Sequence, residues 1–446
     1  MREKPDITCP DSIPLRYQVN SFDFFSDLLC AFSDQMIHLV IMLDGQMNYD
    51  ALVRAALRAT DAEPVTRCRL IQENDMLWWE TIPLVTTADL ITEFSVPDPA
   101  SHLQNALSYC IDPFRGPMVK IVYIRSTEKN GDVLVINAHH ASMDGKGMKD
   151  FAGLLLSQYR ADQSGASIQV EPTDMSARVL PRLSSLAPDL LNRADVQVRW
   201  SDKFSVPSRS LICERQVFSL LSLNKERVGR IHATRKEWGV TLNDLMLAVV
   251  ATACSRITGS KINDIHLLNT IDLRRYLTEV PQRSVFNFAT AFEVAIEVDP
   301  DDTLRDTAIR THQVMNQIKK GTPGIDAAIE AECLYDAGCT AARCEMQRQW
   351  NGVLAEGKRS PLFTNTGIIY PEQLDSGVPV SHAFLLPTHN LPPGFSFAIS
   401  TFGDEMTLSS SYGLPAFDPE LIRTLYTFLD TILPGHEVHP GTYSVI

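Results

Sequence analysis

The sequence predicts a chain of mixed α/β class, built as two lobes of similar content that meet at a cleft. Three observations predict it. The 446 residues exceed what one core usually organises and suit two domains. The first half alternates short apolar runs with helical patterns, and after a serine- and proline-rich stretch that alternation begins again. The composition, 44% hydrophobic and 21% charged, allows a substantial core and shows no repeat or low-complexity bias.

IHLVIML (Ile37 to Leu43) has the continuous apolar character of a buried strand. The helix that follows is capped by Asn48 and carries Leu52, Ala55, Ala56 and Ala59 on one face. TRCRLIQ and MLWWETI read as two strands turning through Glu73-Asn74-Asp75. A helix over Ala100 to Cys110 precedes strands at Met118 to Ile124 and Val133 to Asn137. Periodic apolar residues thin out between about Gln163 and Val217, which predicts the inter-lobe connection. The expected boundaries are a first lobe over 1–175, a connection over 176–216 and a second lobe over 217–446.

The second half opens with a helix from Lys225 to Trp238, a break at Gly239, and an apolar helix to Arg256 capped by Thr241 or Asn243. IHLLNTIDL, NFATAFEVAIEV, PLFTNTGIIY, FSFAISTF and EMTLSSSYG are strand candidates, and a terminal helix spans Pro419 to Ile432. The run AAIEAECLYDAGCTAARCEMQ reads as helix interrupted by a glycine; its Cys333, Cys339 and Cys344 match no zinc spacing, so no metal site is expected.

A net charge of -14, with no dense basic cluster, argues against nucleic acid as a partner. The polar, proline-broken N-terminus shows no secretory signal, and no apolar run approaches the roughly 20 residues of a membrane span. Nine cysteines without scaffold spacing fit reduced thiols, so a cytoplasmic location is expected.

Asn137 to Gly145, NAHHASMDG, places two histidines at the end of an apolar strand. Strand alternation puts His140 on the side of Leu134, Ile136 and Ala138, and His139 on that of Val133, Val135 and Asn137, so the two rings cannot share a metal. One ring is expected in a cavity while the other turns into the fold. Asp144-Gly145 then enters a helix with Met148, Phe151, Leu155 and Tyr159 at helical spacing, and Asp144 is placed to cap it.

His139, His140, Asp144 and Gly145 match every fixed position of HHxxxDG, the motif of the chloramphenicol acetyltransferase and condensation-domain superfamily of acyltransferases. The surroundings resemble that superfamily in order and spacing. LDGQMNYDALVRAALRATDAEPVTRCRL resembles its opening strand, helix and "PxLR"-like strand, with Thr66 where leucine is usual. GVTLNDLMLAVVATAC resembles its second-lobe helix, TIDLRRYL its "DLR" strand, and TNTG its "SNxG" segment.

The resemblance implies two chloramphenicol-acetyltransferase-like lobes in a V-shaped pseudo-dimer, with a central tunnel admitting a thioester donor at one mouth and an acceptor at the other. His140 is then the general base, removing a proton from an alcohol or amine as it attacks the thioester, with no covalent acyl-enzyme. Asp144 is structural and pairs with Arg274. The Gly145 N–H is the first oxyanion donor to consider and the Ser142 hydroxyl the second. Asn287 and Asn365 are tunnel candidates. Lys146 and Lys149, at a helix start where cations are disfavoured, are candidates for a donor phosphate.

No permanently bound cofactor is implied; the co-substrate is acyl-CoA or an acyl-phosphopantetheine. The partners are a small-molecule acceptor and, for the second donor, an acyl or peptidyl carrier protein. The chain is expected to be freestanding, which favours a separate small-molecule acyltransferase, such as an alcohol or lipid acylating enzyme, over an assembly-line module and leaves a freestanding condensation enzyme open. The absence of DFGWG disfavours the plant-type branch, and GxSxG and HExxH are absent too. The alternative is a noncatalytic, condensation-like docking or structural protein.

Overall fold

The computed structural model describes residues 15–128, 131–178, 203–259, 264–277 and 283–446. Most of the expected inter-lobe connection, 179–202, lies outside them.

Strand β1 (Arg16–Gln18) leads into helix α1 (Ser21–Leu29), whose cap Asn20 accepts from the N–H groups of Phe22 and Asp23. Next come β2 (Met36–Leu43) and α2 (Tyr49–Ala62), capped by Asn48 as the sequence predicts. A 3-10 turn over Pro64–Arg67 delays β3 to Cys68–Glu73, so Thr66 is in the turn and not in the strand. Strand β4 (Met76–Thr81) returns through Asn74 and Asp75, both with positive φ.

The short helix α3 (Thr87–Leu90), β5 (Ile91–Val96), α4 (Pro99–Leu107), β6 (Val119–Ser126), β7 (Val133–His139) and α5 (Gly145–Gln163) complete this half. The second half runs β8 (Cys213–Leu223), α6 (Lys225–Trp238), α7 (Leu242–Ile257), β9 (Asp264–Asp272), β10 (Ala289–Glu297), α8 (Leu304–Lys319), α9 (Ile325–Ala337) and α10 (Cys339–Glu356). It closes with β11 (Leu362–Ile369), β12 (Val380–Leu386), β13 (Ser396–Phe402), β14 (Glu405–Pro415), α11 (Pro419–Ile432) and β15 (Thr442–Val445).

Among the described residues these strands form three sheets, ordered β1-β4-β3, β12-β2-β7-β6-β5 and β10-β9-β11-β13-β14-β8-β15. The second and third are the lobes' central sheets. A contiguous second lobe from residue 217 onward is not what the chain builds. Strand β12 crosses back to pair antiparallel with β2, Phe384 facing Val40 and Leu386 facing His38. Tyr335, Ala342, Met346 and Trp350 of α9 and α10 likewise sit in the first lobe's core. The reason is burial: VSHAFLL and the apolar faces of the two helices are covered only where the first lobe offers them a surface.

Between the lobes lies a third apolar cluster, in which Val133 and Val135 of β7 meet Phe218 and Leu220 of β8 and Phe384 of β12. The other face of β7, with Leu134, Ile136 and Ala138, packs on the first lobe's helices. No single described helix is long and apolar enough to cross a membrane; α6 and α7 pass jointly by length and composition but meet at 101°, and most of α7 is buried.

Phe384 is 3% exposed and belongs to a strand shared by sequence with one lobe and by pairing with the other. Phe384→Ala is expected to cost about 3–5 kcal/mol. Calorimetry should show both lobes melting at the lower temperature in one transition.

Candidate active site

Strand β7 delivers the motif to the lobe junction and ends at His139. The His139 N–H bonds the Met118 carbonyl at 3.0 Å, the His140 N–H bonds that of Gln35 at 2.7 Å, and the Ser142 N–H turns back to that of His139 at 2.9 Å. This turn breaks the strand alternation. His140 does not continue onto the helix-packed side with Leu134 and Ile136; its ring forms part of a cavity wall between the lobes.

His139 is the histidine that turns inward. It is fully buried; its Nδ1 accepts from the Ala141 N–H at 3.2 Å, which leaves the proton on Nε2, 3.4 Å from Cys30 Sγ. Burial, helped by the neighbouring His140, lowers its pKa to about 3, so it is neutral.

The cavity measures about 180 Å³ and is walled by α1 and Gln35 from the first lobe and by β9, β10 and the start of β11 from the second. His140 Nδ1 is buried and makes no hydrogen bond to another residue, which leaves Nε2 as the ring nitrogen open to the cavity. Burial lowers the His140 pKa, opposed by the charge of Asp144 and by a hydrogen bond to its own carbonyl.

The Asp144 carboxylate turns away from the imidazole. Its Oδ1 accepts from the N–H groups of Lys146 (3.1 Å) and Gly147 (3.0 Å), capping α5. Its Oδ2 accepts from Arg274 Nη1 at 2.7 Å and from the Phe288 N–H at 2.9 Å. Arg274, 3% exposed, also donates Nη2 to the Phe286 and Ser284 carbonyls at 2.8 and 3.2 Å and covers the Phe286 ring. Burial pushes the Asp144 pKa up, but Arg274 and these hydrogen bonds outweigh it and hold the carboxyl below its ordinary value.

A second buried guanidinium, which the sequence reading did not single out, supports the same loop. Arg178 Nη2 reaches Asp23 Oδ2 at 3.0 Å and the Ser142 carbonyl at 3.2 Å, and Nη1 reaches the Val285 carbonyl at 2.6 Å. Trp79 Nε1 donates to the same Asp23 oxygen at 2.9 Å. No sequence pattern marks Arg178, which lies at the start of the expected connection; the apolar SFDFFSDLL of α1, with its buried aspartates, was the available hint.

The remaining expected residues divide. Asn287 lies on the cavity wall, its Nδ2 donating to Ser26 Oγ at 2.8 Å. Asn365 does not: its Oδ1 accepts from the Gly367 N–H at 3.0 Å, closing a bulge in β11 where φ at Gly367 is 74°. Ser142 is no oxyanion donor, because its fully buried hydroxyl gives its proton to the His139 carbonyl at 2.7 Å. Gly145 opens α5 with the first-turn N–H that Asp144 does not accept, although it is not part of the cavity wall.

Lys146 pairs with Asp150 at 2.8 Å. Lys149 donates to the Thr366 and Ile368 carbonyls of the β11 bulge at 2.7 and 3.2 Å, so it ties the lobes together and is not held ready for a phosphate. Arg359 and Ser360, also missed, are on the cavity wall. Among the described residues, no group of three or more His, Cys, Asp or Glu side chains could hold a metal ion.

No family model matches the chain. Two uncharacterized proteins of Mycobacterium tuberculosis, MT2362 (strain CDC 1551) and Rv2305 (strain H37Rv), are 25% identical to it over 285 residues. The match covers 59% of this chain and 62% of theirs, less than two thirds of either relative.

Three solved structures are similar across nearly the whole chain. The epimerization domain from the third module of tyrocidine synthetase B has a TM-score of 0.66 at 14% identity, covering 97% of each chain. The first condensation domain of the CDA synthetase gives 0.68 at 13%, covering 94% of this chain and 96% of that one. Polyketide synthase associated protein 5 from Mycobacterium tuberculosis gives 0.64 at 14%, covering 94% and 99%. The chain has the two-lobed fold of condensation domains.

Removing one partner of a buried ion pair strands the other. Arg274→Met is expected to cost about 3–5 kcal/mol by urea unfolding, and Asp144→Asn combined with it should recover part of that loss.

Proposed function

We propose that the chain is an acyltransferase that moves an acyl group from a thioester, acyl-CoA or a carrier-bound phosphopantetheine, to an alcohol or amine, with His140 as general base. The observation that carries this reading is the orientation of one ring: His140 is the motif histidine on the cavity wall, with Nε2 open to it. The fold shared with condensation domains supports it.

In the proposed reaction the acceptor's oxygen or nitrogen attacks the thioester carbonyl while Nε2 takes its proton. The resulting imidazolium then protonates the departing thiolate as the tetrahedral intermediate collapses. The acyl group passes directly to the acceptor, and no bond to the enzyme forms. A ring with a lowered pKa is neutral at pH 7 and ready to accept that proton.

Asp144 sits close enough to stabilise the imidazolium through space while its own bonds hold the loop. The N-terminus of α5 is a positive helix end within the motif itself, and the Gly145 N–H is the donor it offers to the oxyanion. Lys146 and Lys149 have no place in the reaction, since both are engaged elsewhere.

The test is thiol release from a panel of acyl-CoA and carrier-bound thioesters, with alcohol and amine acceptors. His140→Ala is expected to lower kcat/KM by roughly 10²–10⁴-fold while retaining the wild-type melting profile. Transfer undiminished in a folded His140→Ala protein would exclude the general base, and inertness of the wild type on the whole panel would favour a docking or structural role.

Because the reactive form is neutral and burial lowers its pKa, activity should hold as pH falls to 6.5 and decline only below it. A pH profile of kcat/KM with its acid limb above 6.5 would contradict this.

A further inference from the structure

Among the described residues, three non-glycines have a positive φ: Gln35, Asn74 and Asp75. Asn74 and Asp75 make the turn between β3 and β4 and are of the types that tolerate this region best. Gln35, at φ 49°, is of neither type and leads directly into β2. A backbone held in a costly region by a residue other than glycine points to a function for that residue.

Both parts of Gln35 belong to the site. Its backbone carbonyl accepts the His140 N–H at 2.7 Å, and the residue lines the His140 cavity while only 5% exposed. Within its carboxamide, Nε2 donates to the Ser33 hydroxyl and Oε1 makes no hydrogen bond to another described residue. Asn390, between β12 and β13, repeats the arrangement. It lines the same cavity, is 6% exposed, and donates Nδ2 to Ser396 Oγ at 2.6 Å, with Oδ1 unbonded. Unlike His140 Nδ1 and Ser360 Oγ, neither carboxamide oxygen is sealed off by its neighbours. Ser33 and Asn390 pair through an isolated antiparallel bridge, which brings the two segments side by side in the wall.

A carboxamide anchored through its nitrogen is held in one orientation, and its oxygen can only accept. Two such oxygens, nine-tenths buried and given no donor by the protein, call for O–H or N–H groups from a ligand.

We propose that Gln35 and Asn390 form a hydrogen-bond-accepting corner of the cavity that selects an acceptor substrate carrying a second O–H or N–H beside its reacting group. This deepens the transfer reading and rests on it. The acceptor is the substrate held there, because its nucleophile is what meets His140, the residue whose N–H Gln35 grips. The cavity's volume, about 180 Å³, is below the roughly 300–1,000 Å³ of drug-sized sites and keeps the second group within a few bonds of the first.

NMR titration of the full chain with two pairs of small probes tests the corner. Catechol is compared with guaiacol, and ortho-aminophenol with ortho-anisidine; the second member of each pair has a methyl ether in place of one hydroxyl. In at least one pair the free hydroxyl is expected to bind roughly fivefold more tightly, the scale of one net hydrogen bond. Gln35→Met, which keeps the length of the side chain and removes its oxygen, should abolish that preference, and Asn390→Leu should reduce it.

His140→Ala should keep the preference and lose transfer, so a protein that discriminates without transferring overturns the transfer reading alone. The corner is overturned if both pairs bind equally, if neither pair binds, or if the preference survives Gln35→Met. Should Gln35→Met fail to fold, Gln35→Gly, which adopts the same φ freely, takes its place, and a preference that survives it overturns the corner equally.

Discussion

The architecture of the site depends on one buried carboxylate that its own lobe does not satisfy. Asp144 has four commitments: two N–H groups of α5, the Phe288 N–H and the Arg274 guanidinium, the last two from the second lobe. An ionised carboxylate out of water is tolerated only when such partners are present together. The lobes therefore have to meet at a particular place for the motif to be stable, and that place sets the start of α5 beside the imidazole.

Arg178 and Lys149 extend the same principle. Arg178 spans Asp23 of α1, the Ser142 carbonyl of the motif loop and the Val285 carbonyl of the second lobe. Lys149 reaches from α5 to the bulge in β11. The charged side chains around the motif are thus occupied with holding backbone in place. His140, whose ring lines the cavity, is the motif side chain not engaged in this way. Positioning by buried, hydrogen-bonded neighbours holds that ring in place without consuming it.

Much of this was legible in the sequence, for identifiable reasons. Asn48, Thr241 and the span Pro419 to Ile432 announced their helices through caps and periodicity, which are local signals. HHASMDG pointed to the candidate site through the order of its residues, and His140 does line a cavity. What escaped was non-local. Strand alternation misplaced His140 because a turn starting at that residue, fixed by the Gln35 carbonyl, overrides it. The hydroxyl of Ser142 and the amide of Asn365 are consumed by nearby backbone, which no spacing reveals. Arg178, Arg359 and Ser360 acquire meaning only from walls contributed by distant segments.

The return of β12 to the first sheet has a consequence for biosynthesis. Ser381 Oγ bonds the Met42 carbonyl across 339 positions of chain, so the flank of β2 that β12 covers stays open until that length of chain has been made. An uncovered strand edge invites pairing with other chains. On the ribosome the first lobe is consequently an unfinished object, exposed to mispairing until a latch 339 positions downstream has emerged.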